Sequence, residues 1–341
     1  METLWFCLVA LMVALYVLFD GFDIGAGIVH MLVAKSDEER QAVIATIGPV
    51  WDGNEVWLLA AGGTLYFAFP ALYASGFSGF YLPLMMVLWL LIGRGLSLEL
   101  RSHVQTHLWK TFWDAVFSIS SILLAIFFGA ALGNVIRGVP LDSTGFFFLP
   151  LWTNFQPSGA VGILDWYTVA VGLAAFFALT IHGALWVALK TEGEIQERAL
   201  RIVRIAWPGA AALTLVITML SFLVQRILRE SFARYPWGFV FPALALGGLI
   251  GIRFWRGKQF YASCAYLAGM LTSAVFGVYP YVLPSNLDPA TGLDIHNASA
   301  PYYGLGIGLR WWIPGMILAA GYFFYVYRHF AGKVNAAPNQ H

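Results

Sequence analysis

Two pairs of carboxylates sit in, or at the mouth of, segments apolar enough to cross a membrane. Asp20 and Asp23 fall in Phe19-Asp20-Gly21-Phe22-Asp23-Ile24-Gly25-Ala26-Gly27, well inside a long apolar run. Asp52 and Glu55 fall in Gly48-Pro49-Val50-Trp51-Asp52-Gly53-Asn54-Glu55-Val56-Trp57, just ahead of thirty-seven residues, Val56 to Ile92, that carry no formal charge. Both pairs are spaced i,i+3, which puts each on one face of a helix. An acid at the centre of a spanning helix costs roughly 2.5–3.5 kcal/mol on insertion scales, so four without partners would cost on the order of 10 kcal/mol. Something polar must compensate, and Asn54 and Thr46 are candidate hydrogen-bonding partners. Gly21, Gly25 and Gly27 let a second backbone come close enough to share such groups. Proton uptake and relay is the chemistry this pattern offers. Coordination of Na⁺ or of a substrate in a transporter would use the same groups, and acids simply hydrogen-bonded in a helix interface are the structural alternative.

The elements that position these acids are membrane helices. The chain has 341 residues, 60% hydrophobic, 16% aromatic and only 11% charged, against roughly 25% charged in ordinary soluble domains. A net charge of +1 gives no footprint for nucleic acid. Apolar runs of spanning length predict nine transmembrane helices, near 3–33, 48–70, 77–98, 112–136, 163–189, 203–226, 236–254, 259–282 and 305–328. The charge-free run exceeds one span and is divided by Pro70, Gly76, Gly79 and Pro83, which reads as two helices and a tight turn.

Fourteen of the nineteen Lys and Arg fall in the connections 34–47, 94–111, 190–204 and 253–258 and in the C-terminal tail; the other five are Arg137, Arg226, Arg229, Arg234 and Arg310. The positive-inside rule then sets the N-terminus outside and the C-terminus in the cytoplasm. At 1.5 Å per residue, Asp20 and Asp23 lie about 25–30 Å from the outer start of their helix, in the cytoplasmic half. Asp52 and Glu55 enter from that same side, so four acids are expected near one face. Cys7 and Cys264 fall on opposite faces, too far apart for a bridge. The first segment lacks a basic n-region and a small-residue cleavage site, so it is read as a retained helix.

Histidine bears on haem, because a low-spin membrane haem needs axial His or Met ligands facing one site. His182 alone is mid-helix; His30 lies near an inner helix end, His103 and His107 in an inner connection, and His296, His329 and His341 outside the apolar runs. No bis-His pair results, and His103-x-x-x-His107 reads as a solvated helix face, not a metal site. His182 reads as a satisfied interior histidine.

Asp20-Gly21-Phe22-Asp23-Ile24-Gly25, the 48–57 motif and Phe77-Ser78-Gly79-Phe80-Tyr81 closely resemble subunit II of cytochrome bd quinol oxidases. The resemblance continues through Phe128-Gly129, Gly133-Asn134, Gly138-Val139-Pro140, His182-Gly183-Ala184 and Tyr279-Pro280-Tyr281-Val282-Leu283-Pro284-Ser285, so it spans nearly the whole chain. It implies an all-α integral membrane protein: two four-helix bundles, 3–136 and 163–282, plus one additional peripheral helix, 305–328, in a single transmembrane domain. A faint internal echo, Val33-Ala34-Lys35 followed by Asp37-Glu38-Glu39-Arg40 against Ala188-Leu189-Lys190-Thr191-Glu192, fits duplicated units and equally fits any inward-facing helix end.

The resemblance also implies a larger subunit I that holds haems b and d and the quinol site, so that this chain binds none of them and is not catalytic alone. The complex would oxidise quinol and reduce O₂ to water in the bacterial cytoplasmic membrane, with charge separation and no proton pump. A structural quinone in an apolar cleft and a small accessory subunit are further family traits. Carried over by position, Asp52 is the acid at the inner entrance of a proton path, Asp23 and Asp20 belong to the first-helix motif, and Glu55 is a hydrogen-bonding partner of Asp52. Trp57 matches a tryptophan bordering the route for O₂ from the lipid. A secondary transporter and a purely structural membrane scaffold are the competing readings.

Overall fold

The computed structural model describes residues 1–157 and 159–334; His341 lies outside them. Twelve α-helices appear among these residues: α1 (Glu2–Val33), α2 (Asp37–Ala45), α3 (Trp51–Ala68), α4 (Pro70–Gly79), α5 (Tyr81–Leu100), α6 (His107–Arg137), α7 (Trp166–Lys190), α8 (Gly193–Val224), α9 (Arg226–Arg234), α10 (Val240–Phe254), α11 (Gln259–Val278) and α12 (Tyr302–His329). A two-stranded antiparallel ribbon, β1 (Tyr281–Leu283) with β2 (Leu293–Asp294), follows α11. Among the described residues eight helices are long and apolar enough to cross a membrane, and the number is nine when the bent pair α3/α4 is counted as one span. The expected nine and the observed eight to nine differ only over that pair.

Several boundaries differ from the expectation, each for a local reason. Pro70 does not close a tight turn but opens α4, whose axis is bent 120° from that of α3; proline at a first helical position gives up no intrahelical hydrogen bond. The connection 34–47 holds the short helix α2, whose N-cap Ser36 accepts from the Glu39 amide. α8 begins ten residues before the expected 203 and carries its charged first turns beyond the apolar run. The last expected turn of 259–282 leaves the helix to form β1 instead.

Helix ends are tied together at two opposite faces. At one, Trp5 Nε1 donates to the Leu305 carbonyl, the Ala300 amide to Ala68, and Gln225 Nε2 to the carbonyls of Ile136 and Arg137. There Asp165 caps α7 with both halves of a capping box and pairs with Arg137, which also donates to Asn134 Oδ1 at 2.6 Å. Arg137, expected in a connection, is therefore a buried helix-end residue. At the other face, which carries most of the Lys and Arg and is termed the basic end, Arg198 pairs with Glu39 and with Glu194, and the Val334 amide donates to Lys190.

Between these faces α1 is central and buried on nearly every side in its second half. Its close neighbour is α7. A Cβ built on Gly25 would overlap the Leu179 carbonyl oxygen and the Gly183 amide, and one built on Gly183 would overlap the backbone of Gly25 and Ala26. Gly27 instead meets the Ser121 side chain of α6. Of the first-helix glycines, Gly25 brings a second backbone into contact beside the acids, and Gly21 and Gly27 make room for side chains.

Candidate functional site

The acids of α1 point into protein. Asp20 is 0% exposed, and its Oδ1 accepts from Arg94 Nη1 at 2.6 Å. Arg94 lies six residues before the end of α5 and is 1% exposed. Its Nη2 stands 3.4 Å from Glu55 Oε2, an ion-pair distance without hydrogen-bond alignment, and the Glu55 side chain is 26% exposed. Asp23, also 0% exposed, accepts at Oδ2 from Asn54 Nδ2 at 2.7 Å. Tyr327 of α12 donates to Asn54 Oδ1 at 2.8 Å. Four helices, α1, α3, α5 and α12, therefore meet at one polar core.

Three expectations change here. Arg94 was counted with a basic connection; the helix carries it into the protein because Asp20 and Glu55 supply counter-charge. Glu55 pairs with Arg94, and among the described residues no hydrogen bond joins it to Asp52. Asp52 itself is exposed at the first turn of α3, apart from the buried network, so the structure groups Asp20, Asp23 and Glu55 and leaves Asp52 at the rim. Asn54 is the partner the sequence suggested, whereas the Thr46 hydroxyl is committed to the Val43 carbonyl. Sequence reasoning missed Arg94 and Tyr327. A charged residue flanked by Gly93 and Gly95, directly after a charge-free run, was the available signal for the first; nothing local marks the second.

Asp20 and Asp23 differ chemically. Asp20 is clamped by a permanently charged guanidinium, which suits a counter-ion. Asp23 is held by a neutral amide; each acid is bonded through one oxygen, leaving Asp20 Oδ2 and Asp23 Oδ1 without a protein partner, but only Asp23 has no cation beside it to hold it ionised. That free oxygen of Asp23 can take up or pass on a proton. Trp57 lies one turn beyond Asn54, 6% exposed, against Met12, Tyr16 and Ala61, with its ring 5.3 Å from Phe323 and 6.2 Å from Phe19.

A second ion cluster, unforeseen from the sequence, lies nearer the basic end. Asp114 of α6, 0% exposed, accepts from His30 Nε2 (2.7 Å), Arg101 Nε (2.6 Å) and Arg40 Nη1 (3.0 Å). Arg101 and Lys110 also hold Asp37 at 2.6 and 2.7 Å. Partial burial alone would raise the Asp37 carboxyl, but these two cations outweigh it and hold it below the usual carboxylate range. The cluster fastens α2 across the ends of α5 and α6, beside the turn that leads into Asp52. His182 bonds to Ser263 Oγ and the Leu18 carbonyl, so both its nitrogens are committed, as expected of an interior histidine. With His30 engaged by Asp114, the two buried histidines do not face a common site and do not fit axial haem ligation.

Buried acids clustered near one end of a multi-span helical bundle define a polytopic membrane protein with an ionisable interior. A family profile described as "Cytochrome bd terminal oxidase subunit II" matches residues 1–330. The chain belongs to that family and is one subunit of a quinol oxidase complex. It is 28% identical to a probable cytochrome oxidase subunit 2 of Haemophilus influenzae, over 98% of this chain and 95% of that one. It is 29% identical to the cytochrome bd ubiquinol oxidase subunit 2 of Bacillus subtilis, over 96% of each. A chain of the bd oxidase from Geobacillus thermodenitrificans has the same fold, with TM-score 0.72 and 17% identity, covering 96% of this chain and 98% of that one.

Proposed function

We propose that this chain is the non-haem subunit II of a cytochrome bd-type quinol oxidase of the bacterial cytoplasmic membrane. It packs against a haem-bearing subunit I and supports proton delivery and O₂ access for the reduction of O₂ to water. The observation that carries this reading is the family match over residues 1–330 together with buried acids gathered near the basic end. Haems b and d are assigned to subunit I; a structural quinone and a small accessory subunit are carried as family traits with no residues assigned. The family assignment speaks against the transporter reading, and a purely structural role is the reading that a dispensable Asp52 would support.

The basic end faces the cytoplasm in this proposal, which places the N-terminus outside. The two bundles are 3–136 and 163–282, with the α1–α7 crossing as their junction, and the helix at 305–328 docks on α1 and α3 through Tyr327 and Phe323. Asp52 is the proton entrance, supported by its exposure at the rim of the polar core. Asp23 is the interior acceptor, Asp20 and Glu55 hold Arg94, and Trp57 borders the gas route.

Asp52→Asn should slow O₂ reduction severalfold at unchanged haem content, a modest effect because water reaches an exposed rim position without it. Oxygen-electrode turnover and an optical spectrum of the purified complex measure both quantities; normal turnover across pH would remove the assignment. Trp57→Ala should shift the apparent O₂ affinity and leave quinol affinity in place, as oxygen and quinol titrations would show. An unchanged O₂ dependence would reduce Trp57 to a packing residue.

A further inference from the structure

The end of α2 with the turn at 46–50, the end of α7, and the end of α12 with the residues that follow it line a cavity of about 240 Å³ at the basic end. Lys190, His329 and Lys333 stand on its wall, Trp186, Tyr327 and Phe330 supply aromatic surface, and among the described residues no carboxylate lines it. Lys190 Nζ donates to the Phe330 carbonyl at 2.7 Å and sits 5.1 Å from the Trp186 ring centroid. These contacts hold the ammonium in place without neutralising it. Lys333 Nζ is 3.2 Å from Glu192 Oε1, a solvent-exposed pair with a carboxylate that does not line the cavity; such pairs hold weakly.

We propose that this cavity binds the phosphate headgroup of an anionic phospholipid. Two ammonium groups face a space with no carboxylate on its described wall, and the one nearby acid, Glu192, holds Lys333 only through a solvent-exposed pair, so the field in the cavity is positive and an anion is the complementary occupant. Two of the helices whose ends line it, α7 and α12, are long and apolar enough to span, which puts the cavity at headgroup level, where Trp and Tyr concentrate. Phe330 is exposed at the mouth, giving an apolar edge for a glycerol backbone or the start of an acyl chain. A free phosphate would satisfy the cations but leave that edge unused. Basic pockets between membrane helices are a recurrent way of holding anionic headgroups. The site is independent of the oxidase reading and is distinct from the Asp20–Arg94 core.

The test uses the two-subunit complex purified in mild detergent and freed of endogenous lipid. It would be titrated with dioleoylphosphatidylglycerol or dioleoylphosphatidylcholine, and bound lipid counted by native mass spectrometry. Each lysine removed should weaken phosphatidylglycerol retention roughly fivefold, and K190Q/K333Q roughly 30-fold, with phosphatidylcholine unaffected. R253Q/R256Q, which removes the same charge from the last turn of α10 and the connection that follows it, should leave this lipid bound. If K190Q/K333Q does not fold, K333Q alone carries the test, since its side chain is exposed. Equal retention by variant and parent would overturn the proposal, and displacement of the lipid by millimolar inorganic phosphate would identify a free-anion site instead. Retention is read without turnover, so failure here leaves the oxidase reading intact.

Discussion

Asp20→Asn is expected to destabilise the protein by about 3–5 kcal/mol, the range for breaking one side of a buried ion pair. The substitution leaves Arg94, 1% exposed and unable to shed its charge, with only Glu55 at 3.4 Å. Glu55 is a poor substitute because it is partly solvated and misaligned for a hydrogen bond. D20L/R94M should recover most of the loss, since a buried pair exchanged for apolar contacts of similar volume is often neutral. Glu55→Gln should cost far less than Asp20→Asn, because the short contact to Arg94 survives. Thermal midpoints of the four detergent-purified proteins would measure the order. Equal midpoints for D20N and its parent would show that Arg94 is satisfied by other groups and that Asp20 is not its counter-ion.

The candidate spans were legible because the bilayer leaves a chain few options: backbone polar groups must be satisfied within each segment, so apolar length maps directly onto helices. The burial of Asp20 and Asp23 and the close-packing role of Gly25 followed from the same constraint. What pairs with the acids was not legible. Arg94 stands just past Ile92, where the charge-free run ends, and a hydropathy window reads it as the start of a connection; only the proximity of α1 and α5 makes it interior. Tyr327 reaches Asn54 across 273 positions of chain, and Asp114 gathers His30, Arg40 and Arg101 from three separate segments. One sequence carries no record of such long-range meetings. α4 was missed for a different reason: a proline that begins a helix and a proline in a turn look alike until the bend is seen.

Gly183→Ala should disrupt the protein more than its single methyl group suggests. In an open helix the change would be favourable by about 1 kcal/mol, because alanine is the better helix former. At this position the new Cβ would overlap the α1 backbone at Gly25 and Ala26, and backbone, unlike a side-chain tip, cannot swing aside. Overpacking a tight contact costs about 1–3 kcal/mol where neighbours can adjust. Here the adjustment is a separation of α1 from α7, and α1 carries Asp20 and Asp23, so moving it also stretches the bonds to Arg94 and Asn54. The two losses add, and we expect little folded complex in the membrane. Gly25→Ala, the reciprocal change, should fail in the same way. Gly247→Ala on α10, whose added Cβ meets nothing within 4 Å, should be neutral or stabilising. Monodisperse elution of the tagged chain, with the haem spectrum of any co-purifying partner, separates these outcomes. Wild-type yield and stability for both crossing variants would mean that α1 and α7 have room between them, and the polar core would then have to be held by something other than their contact.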